Sequence, residues 1–93
     1  MDLEIIWTKR AVNNYISILT YIKSDFGDNP AKEYEKRVAE LIQLIKSFPD
    51  LGSMQNQEEN LRAIVLYRRT TIIYKYNQES ILIVNVIDTR MKQ

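Results

Sequence analysis

The sequence predicts an α+β domain of order β-α-α-β-β-β, in which a helical hairpin packs on one face of a small, mainly antiparallel sheet. Three observations predict it. Between Leu61 and Arg90, three apolar, β-branched runs are separated by two short polar connections, the pattern of an antiparallel meander. Before that stretch, two segments hold apolar residues at three- and four-residue spacing, which is the helical period. Ahead of both, a short apolar run opens the chain. The 93 residues make one domain, 1–93, with a single core shared by nearly every element.

Leu3, Ile5 and Trp7 alternate with Asp2, Glu4 and the apolar Ile6, so a short first strand with one well-buried face is expected. Thr8 stands where a helix N-cap belongs, although Ala11, three residues on, supplies no reciprocal Glu for a capping box. The helix runs from about Lys9 to Phe26, with Ala11, Tyr15, Ile18, Leu19, Ile22 and Phe26 on one face and Gly27 as its C-cap. For the second helix Asn29 is the expected cap. Pro30 fits the first turn, where its missing N–H costs nothing. Ala31, Tyr34, Val38, Leu41, Ile42, Ile45 and Phe48 keep the helical period until Pro49 ends it.

Trp7, Tyr15, Phe26, Tyr34 and Phe48 are therefore expected in the core. Asp50 to Asn60 has no period and few apolar residues, and reads as an exposed loop, the segment most prone to disorder. The meander strands are Leu61–Leu66, Thr70–Tyr76 and Ser80–Asp88, joined through Tyr67-Arg68-Arg69 and Asn77-Gln78-Glu79. Side chains alternate along a strand, so Ile64, Leu66, Ile73, Tyr74 and Tyr76 cannot all face the helices. Some apolar surface should line an exposed groove or be covered by a partner.

Composition narrows the chemistry. Cysteine and histidine are absent, which removes disulfides, thiolate nucleophiles and imidazole acid-base catalysis. A metal would need carboxylates alone, and Glu33, Glu35, Glu40 and Asp88 lack a ligand spacing, so neither metal nor cofactor is expected. The opening MDLEIIWTKR does not have the pattern of a signal peptide, and no apolar run is long enough to cross a bilayer; a cytoplasmic protein without a membrane partner is expected. The net charge of +1 hides an asymmetry: residues 1–60 carry 7 Lys/Arg against 10 Asp/Glu, and residues 61–93 carry 6 against 2. The meander is the basic half, suited to an acidic protein partner as well as to nucleic acid.

Several motifs, in this order, resemble a known family over essentially the whole chain. They are Ile6-Trp7-Thr8 followed by Ala11, the pair Tyr21-Ile22, and Phe48-Pro49-Asp50-Leu51-Gly52. Leu61-Arg62, Ile72-Ile73-Tyr74 and Val86-Ile87-Asp88-Thr89-Arg90 complete the set. Together they resemble the ParE/RelE superfamily of bacterial toxins from toxin-antitoxin modules. The resemblance implies a small toxin neutralised by a cognate antitoxin, whose disordered acidic segment folds onto the toxin in a hetero-oligomer.

Its two branches imply different targets. RelE-like toxins cleave messenger RNA on the ribosome with basic side chains on the open sheet face and a tyrosine or histidine near the C-terminus, roles that a 2′-hydroxyl attack requires. Arg62 and Arg90 match two basic positions, and Tyr74 matches the family's middle-strand tyrosine. Ile64 and Thr71 stand where such enzymes carry further cations, Asp88 stands where many have histidine, and the chain ends at Gln93 without the terminal group. ParE-like toxins poison DNA gyrase by binding and need no such set. The resemblance thus favours a non-enzymatic, ParE-like gyrase inhibitor. A ribosome-dependent endoribonuclease using Arg62, Arg90 and Tyr74 is the alternative, and a decayed toxin that keeps only antitoxin binding is a third reading. Arg62, Arg68, Arg69 and Arg90 are the candidate partner-binding residues. The bland alternatives are a solvated or ion-paired Arg62, solvated turn charges at Arg68 and Arg69, a structural salt bridge at Arg90, and a core tyrosine at Tyr74.

Overall fold

The computed structural model describes residues 3–91; Asp2, at the opening of the first strand, and Gln93 lie outside them. Strand β1 (Glu4–Trp7) leads into α1 (Lys9–Phe26) and α2 (Asp28–Ser47). Strands β2 (Ser53–Asn56), β3 (Leu61–Leu66), β4 (Thr70–Tyr76) and β5 (Ser80–Asp88) follow. The five strands form one sheet in the order β1-β5-β4-β3-β2. All neighbours are antiparallel except β1, which runs parallel to β5 with Ile5 beside Ile81 and Trp7 beside Ile83. The helical hairpin between β1 and the meander supplies the crossover that a parallel pair needs.

Register decides which side chains meet the helices. Ile72 and Tyr74 of β4 pair with Val86 and Ile83 of β5, and all four are buried. With Ile81 they meet Ala11, Ile18 and Ile22 of α1 and Tyr34, Val38, Ile42 and Ile45 of α2 in one core. Ile64, Leu66 and Tyr76 pack against the same core, while Ile73 takes the opposite face, as alternation requires. A bulge leaves Val84 unmatched, because Ile73 pairs with Asn85 and Tyr74 with Ile83. Thr8 ties the first turn of α1 to this bulge. Its hydroxyl accepts from the Ala11 N–H at 3.0 Å and donates to the Val84 carbonyl at 2.8 Å.

Three expectations need correction. The segment Asp50–Asn60 is not all loop, since Ser53–Asn56 pairs with Arg62 and Ala63 as an edge strand. None of its side chains is buried, so no apolar pattern marks it; the backbone ladder alone makes it a strand. Gly27, at a φ of 99°, ends α1 and begins α2 at once, which leaves no linker in which Asn29 could act as cap and puts Asn29 inside the first turn. Phe26 and Phe48 are each 57% exposed: Phe26 is the last residue of α1, and Phe48 has left the helical conformation as the C-cap of α2.

One polar clamp fixes the far end of the hairpin. The Tyr74 hydroxyl donates to the Pro49 carbonyl at 2.7 Å and accepts from the Gly52 N–H at 2.8 Å, fastening the chain after α2 to the sheet. A Cβ on Gly52 would lie 2.9 Å from the Tyr74 ring and hydroxyl and 3.0 Å from the Ala63 carbonyl. Gly52→Ala should therefore destabilise the fold by about 1–3 kcal/mol through overpacking. Tyr74→Phe should cost a similar amount, about 1–3 kcal/mol, by leaving the buried Gly52 N–H and the partly buried Pro49 carbonyl without this partner. Urea unfolding of both variants checks the pair, and wild-type midpoints would contradict the clamp.

Candidate functional site

The residues singled out from the sequence occupy two ends of the sheet. Arg62 faces Tyr74 in register at one end. Its Nη1 donates to the carbonyls of Asp50 at 3.0 Å and Gly52 at 2.8 Å, and its guanidinium lies 5.9 Å from the centre of the Tyr76 ring. Arg62 thus shares the clamp with Tyr74, holding the chain between α2 and β2. The Tyr74 ring is fully buried, and burial pushes its hydroxyl above the ordinary phenol range. A phenol so placed, with both hydrogen-bonding directions occupied, has no reach to a substrate.

The other end is built around Asp88, a carboxylate only 2% exposed. Oδ1 accepts from the backbone N–H of Arg90 and from its Nε, and Oδ2 accepts from Arg90 Nη2 at 2.7 Å and from the Thr70 hydroxyl. Since Thr70 spends its only proton there, the Tyr34 hydroxyl must donate to Thr70 Oγ1, 2.9 Å away. The Arg90 guanidinium lies 5.8 Å from the centre of the Tyr34 ring. Burial alone would push the Asp88 carboxyl up, but the hydrogen bonds from Arg90 and Thr70 and the Arg90 charge hold it below its ordinary value. Arg90 is shifted up by the same contact, and burial leads in pushing Tyr34 up.

These two ends do not meet. Thr70, opposite Asp88, is four residues along β4 from Tyr74, a span of about 13 Å. Arg62 and Arg90 therefore do not converge on one phosphate, and Arg62 and Tyr74 lie on the helix side of the sheet. Arg90, Arg69 and the neighbouring Arg68 gather instead beside the β3–β4 turn. The Gln93 end lies outside the described residues. Among the described residues no cluster of acidic side chains could hold a metal ion, and no helix is long and apolar enough to cross a membrane.

The face away from the helices is apolar. Ile6, Ala63, Val65, Ile73, Leu82 and Ile87 occupy its alternating positions, with Thr71 and Lys75 among them. Val65 is 58% exposed and Ile6 41%. Sequence reasoning anticipated such a face but missed the Thr70–Asp88 contact. Its one available signal was the Asp88-Thr89-Arg90 spacing at a strand end, and the partner strand that supplies Thr70 leaves no mark in that spacing.

The Asp88 network makes a pH prediction. A carboxyl held below its unfolded value near 3.8 stabilises the fold fully above that value. The contribution is lost as pH falls toward the folded value. Asp88→Asn, which strands a half-buried guanidinium, should lower stability at neutral pH by about 3 kcal/mol. It should also flatten the loss seen in the wild type below pH 4. Denaturant unfolding between pH 3 and 7 measures both, and parallel curves for the two proteins would refute the network.

Comparison with known proteins places this architecture. A solved structure, the chromosomal ParDE TA system from P. aeruginosa, superimposes with a TM-score of 0.75, covering 92% of this chain and 95% of that one at 15% identity. No curated protein matches the sequence. Residues 5–93 match the family described as the ParE toxin of the type II toxin-antitoxin system, parDE. The chain, from β1 through the Asp88 network, belongs to the ParE toxin family of type II toxin-antitoxin systems.

Proposed function

We propose that this protein is a non-enzymatic toxin that inhibits DNA gyrase by binding and is neutralised by a cognate antitoxin. Membership of the ParE toxin family over residues 5–93 carries the reading. The geometry supports its non-enzymatic part. Hydrolysis of RNA through the 2′-hydroxyl needs a proton acceptor, a proton donor and cations on one phosphate. Here Tyr74 is sealed between Pro49 and Gly52, Arg62 is turned to the helix side with its Nη1 on two carbonyls, and Arg90 is paired with Asp88 about 13 Å away. A binding function needs none of these groups free.

The open sheet face is the surface offered to the antitoxin. An apolar strip of Ile73, Val65 and Leu82 beside Lys75, on the basic half of the chain, continued by Ile6 of β1, suits an acidic segment that orders on contact. Burial of such a strip repays the ordering entropy through contact area.

Two experiments test this reading. The purified protein, incubated with gyrase and supercoiled plasmid, should leave linear DNA after protein digestion, and undiminished supercoiling at high toxin excess would refute gyrase as target. Val65→Lys, on a half-exposed outward position, should change stability by less than about 0.5 kcal/mol. It should nonetheless leave growth arrest unrelieved by the antitoxin encoded beside the toxin. Full rescue of this variant would move the antitoxin off the open face.

A further inference from the structure

A second surface lies on the helix side, beyond the Asp88 network and away from the open face. The end of the helical hairpin and the β3–β4 turn enclose an open depression of about 380 Å³. Phe26, Tyr34 and Tyr67 wall it, and Arg69 and Arg90 stand at its polar side. This volume lies at the low end of ligand pockets, which hold roughly 300–1,000 Å³. It has room for one large side chain.

Charge selects the occupant. Arg90 commits only Nε and one Nη2 hydrogen to Asp88, so three of its five N–H donors make no hydrogen bond among the described residues. Arg69 and the adjacent Arg68 form no salt bridge among the described residues. The one acid in the wall, Glu33, is held by Arg37 at 3.0 Å. A carboxylate matches the free guanidinium edges bidentately, and the exposed rings of Phe26 and Tyr67 offer apolar cover beside them. A nucleic-acid strand would need a track of cations and would meet Glu33.

The turn that carries Tyr67 supplies an independent observation. Tyr67 at φ 56° and Arg68 at φ 63° both occupy the left-handed region, in a turn closed by the Arg69 N–H on the Leu66 carbonyl. A turn with positive φ at both central residues favours Asn-Gly there, and the bulky pair Tyr67-Arg68 in this three-residue connection is held against its preference. The turn holds the Tyr67 ring and Arg69 against the depression.

We propose that this depression is a docking pocket for an acidic protein segment, taking one aromatic or large apolar side chain between Phe26 and Tyr67 and its flanking carboxylates on Arg69 and Arg90. The proposal is independent of gyrase as target. The test is an amide-shift titration of the full chain with the peptide acetyl-Asp-Trp-Glu-amide, set against acetyl-Lys-Trp-Lys-amide, acetyl-Asp-Ala-Glu-amide and a deoxythymidine hexamer. The acidic tryptophan peptide should shift Phe26, Tyr67, Arg69 and Arg90 and bind at least about tenfold more tightly than the other three. The double variant Tyr67→Asn/Arg68→Gly should raise the thermal midpoint by relieving the turn, yet weaken that peptide about tenfold. Shifts confined to the open face, equal binding of the charge-reversed peptide, preference for the hexamer, or full binding by the stabilised variant would each overturn the proposal.

Discussion

Asp88 is a carboxylate placed where water does not reach, and the C-terminal half of the structure is arranged to keep it charged. A buried carboxylate needs its acceptor sites filled, and this one receives four hydrogen bonds, three of them from Arg90. Meeting that demand fixes the direction of the chain after β5, the rotamer of Thr70 and, through Thr70, the hydroxyl of Tyr34 on α2. Sheet, helix and C-terminal turn are thereby held in one orientation. The same demand withdraws one edge of the Arg90 fork from any partner and leaves the other edge available.

The clamp at Tyr74 does complementary work at the opposite end. Without it the chain leaving α2 would have no polar anchor on the sheet, because β2 buries no side chain and holds its place by backbone pairing alone. Arg62 shares this task by bonding carbonyls on both sides of Leu51. Residues that resemble pieces of a ribonuclease site thus belong to separate fastenings of the sheet. The surfaces left for partners are those that the fastenings do not use.

How much of this was legible in the sequence depended on whether a side chain's burial follows a local period. The meander strands, both helices and the Thr8 cap lie where periodicity and capping chemistry put them, since each is set by residues within a few positions of one another. β2 was not legible, because an edge strand with no buried side chain writes no alternation. Phe26 and Phe48 keep the spacing of the helical period in the sequence but stand at the helix ends, Phe48 already outside α2, which no helix-face count reveals. For the candidate site, residue types were legible and groupings were not. Arg62, Tyr74 and Arg90 match motif positions, yet whether they converge depends on register across β3, β4 and β5. Arg69 and Arg90, which do come together, are joined by pairing that brings the Thr89 N–H to the Arg69 carbonyl.

The parallel pairing of β1 with β5 has a further consequence for how the chain reaches this state. Ile5 finds its neighbour at Ile81, and Thr8 its acceptor at Val84, a separation of 76 positions. As the polypeptide leaves the ribosome, the helices and the first meander strands can form while β1 still has no strand to lie beside. Non-local pairings of this kind close late and slow folding. The nascent chain therefore carries an unmatched apolar strand for most of its synthesis, and the core that links both ends of the sheet is sealed only once β5 has emerged.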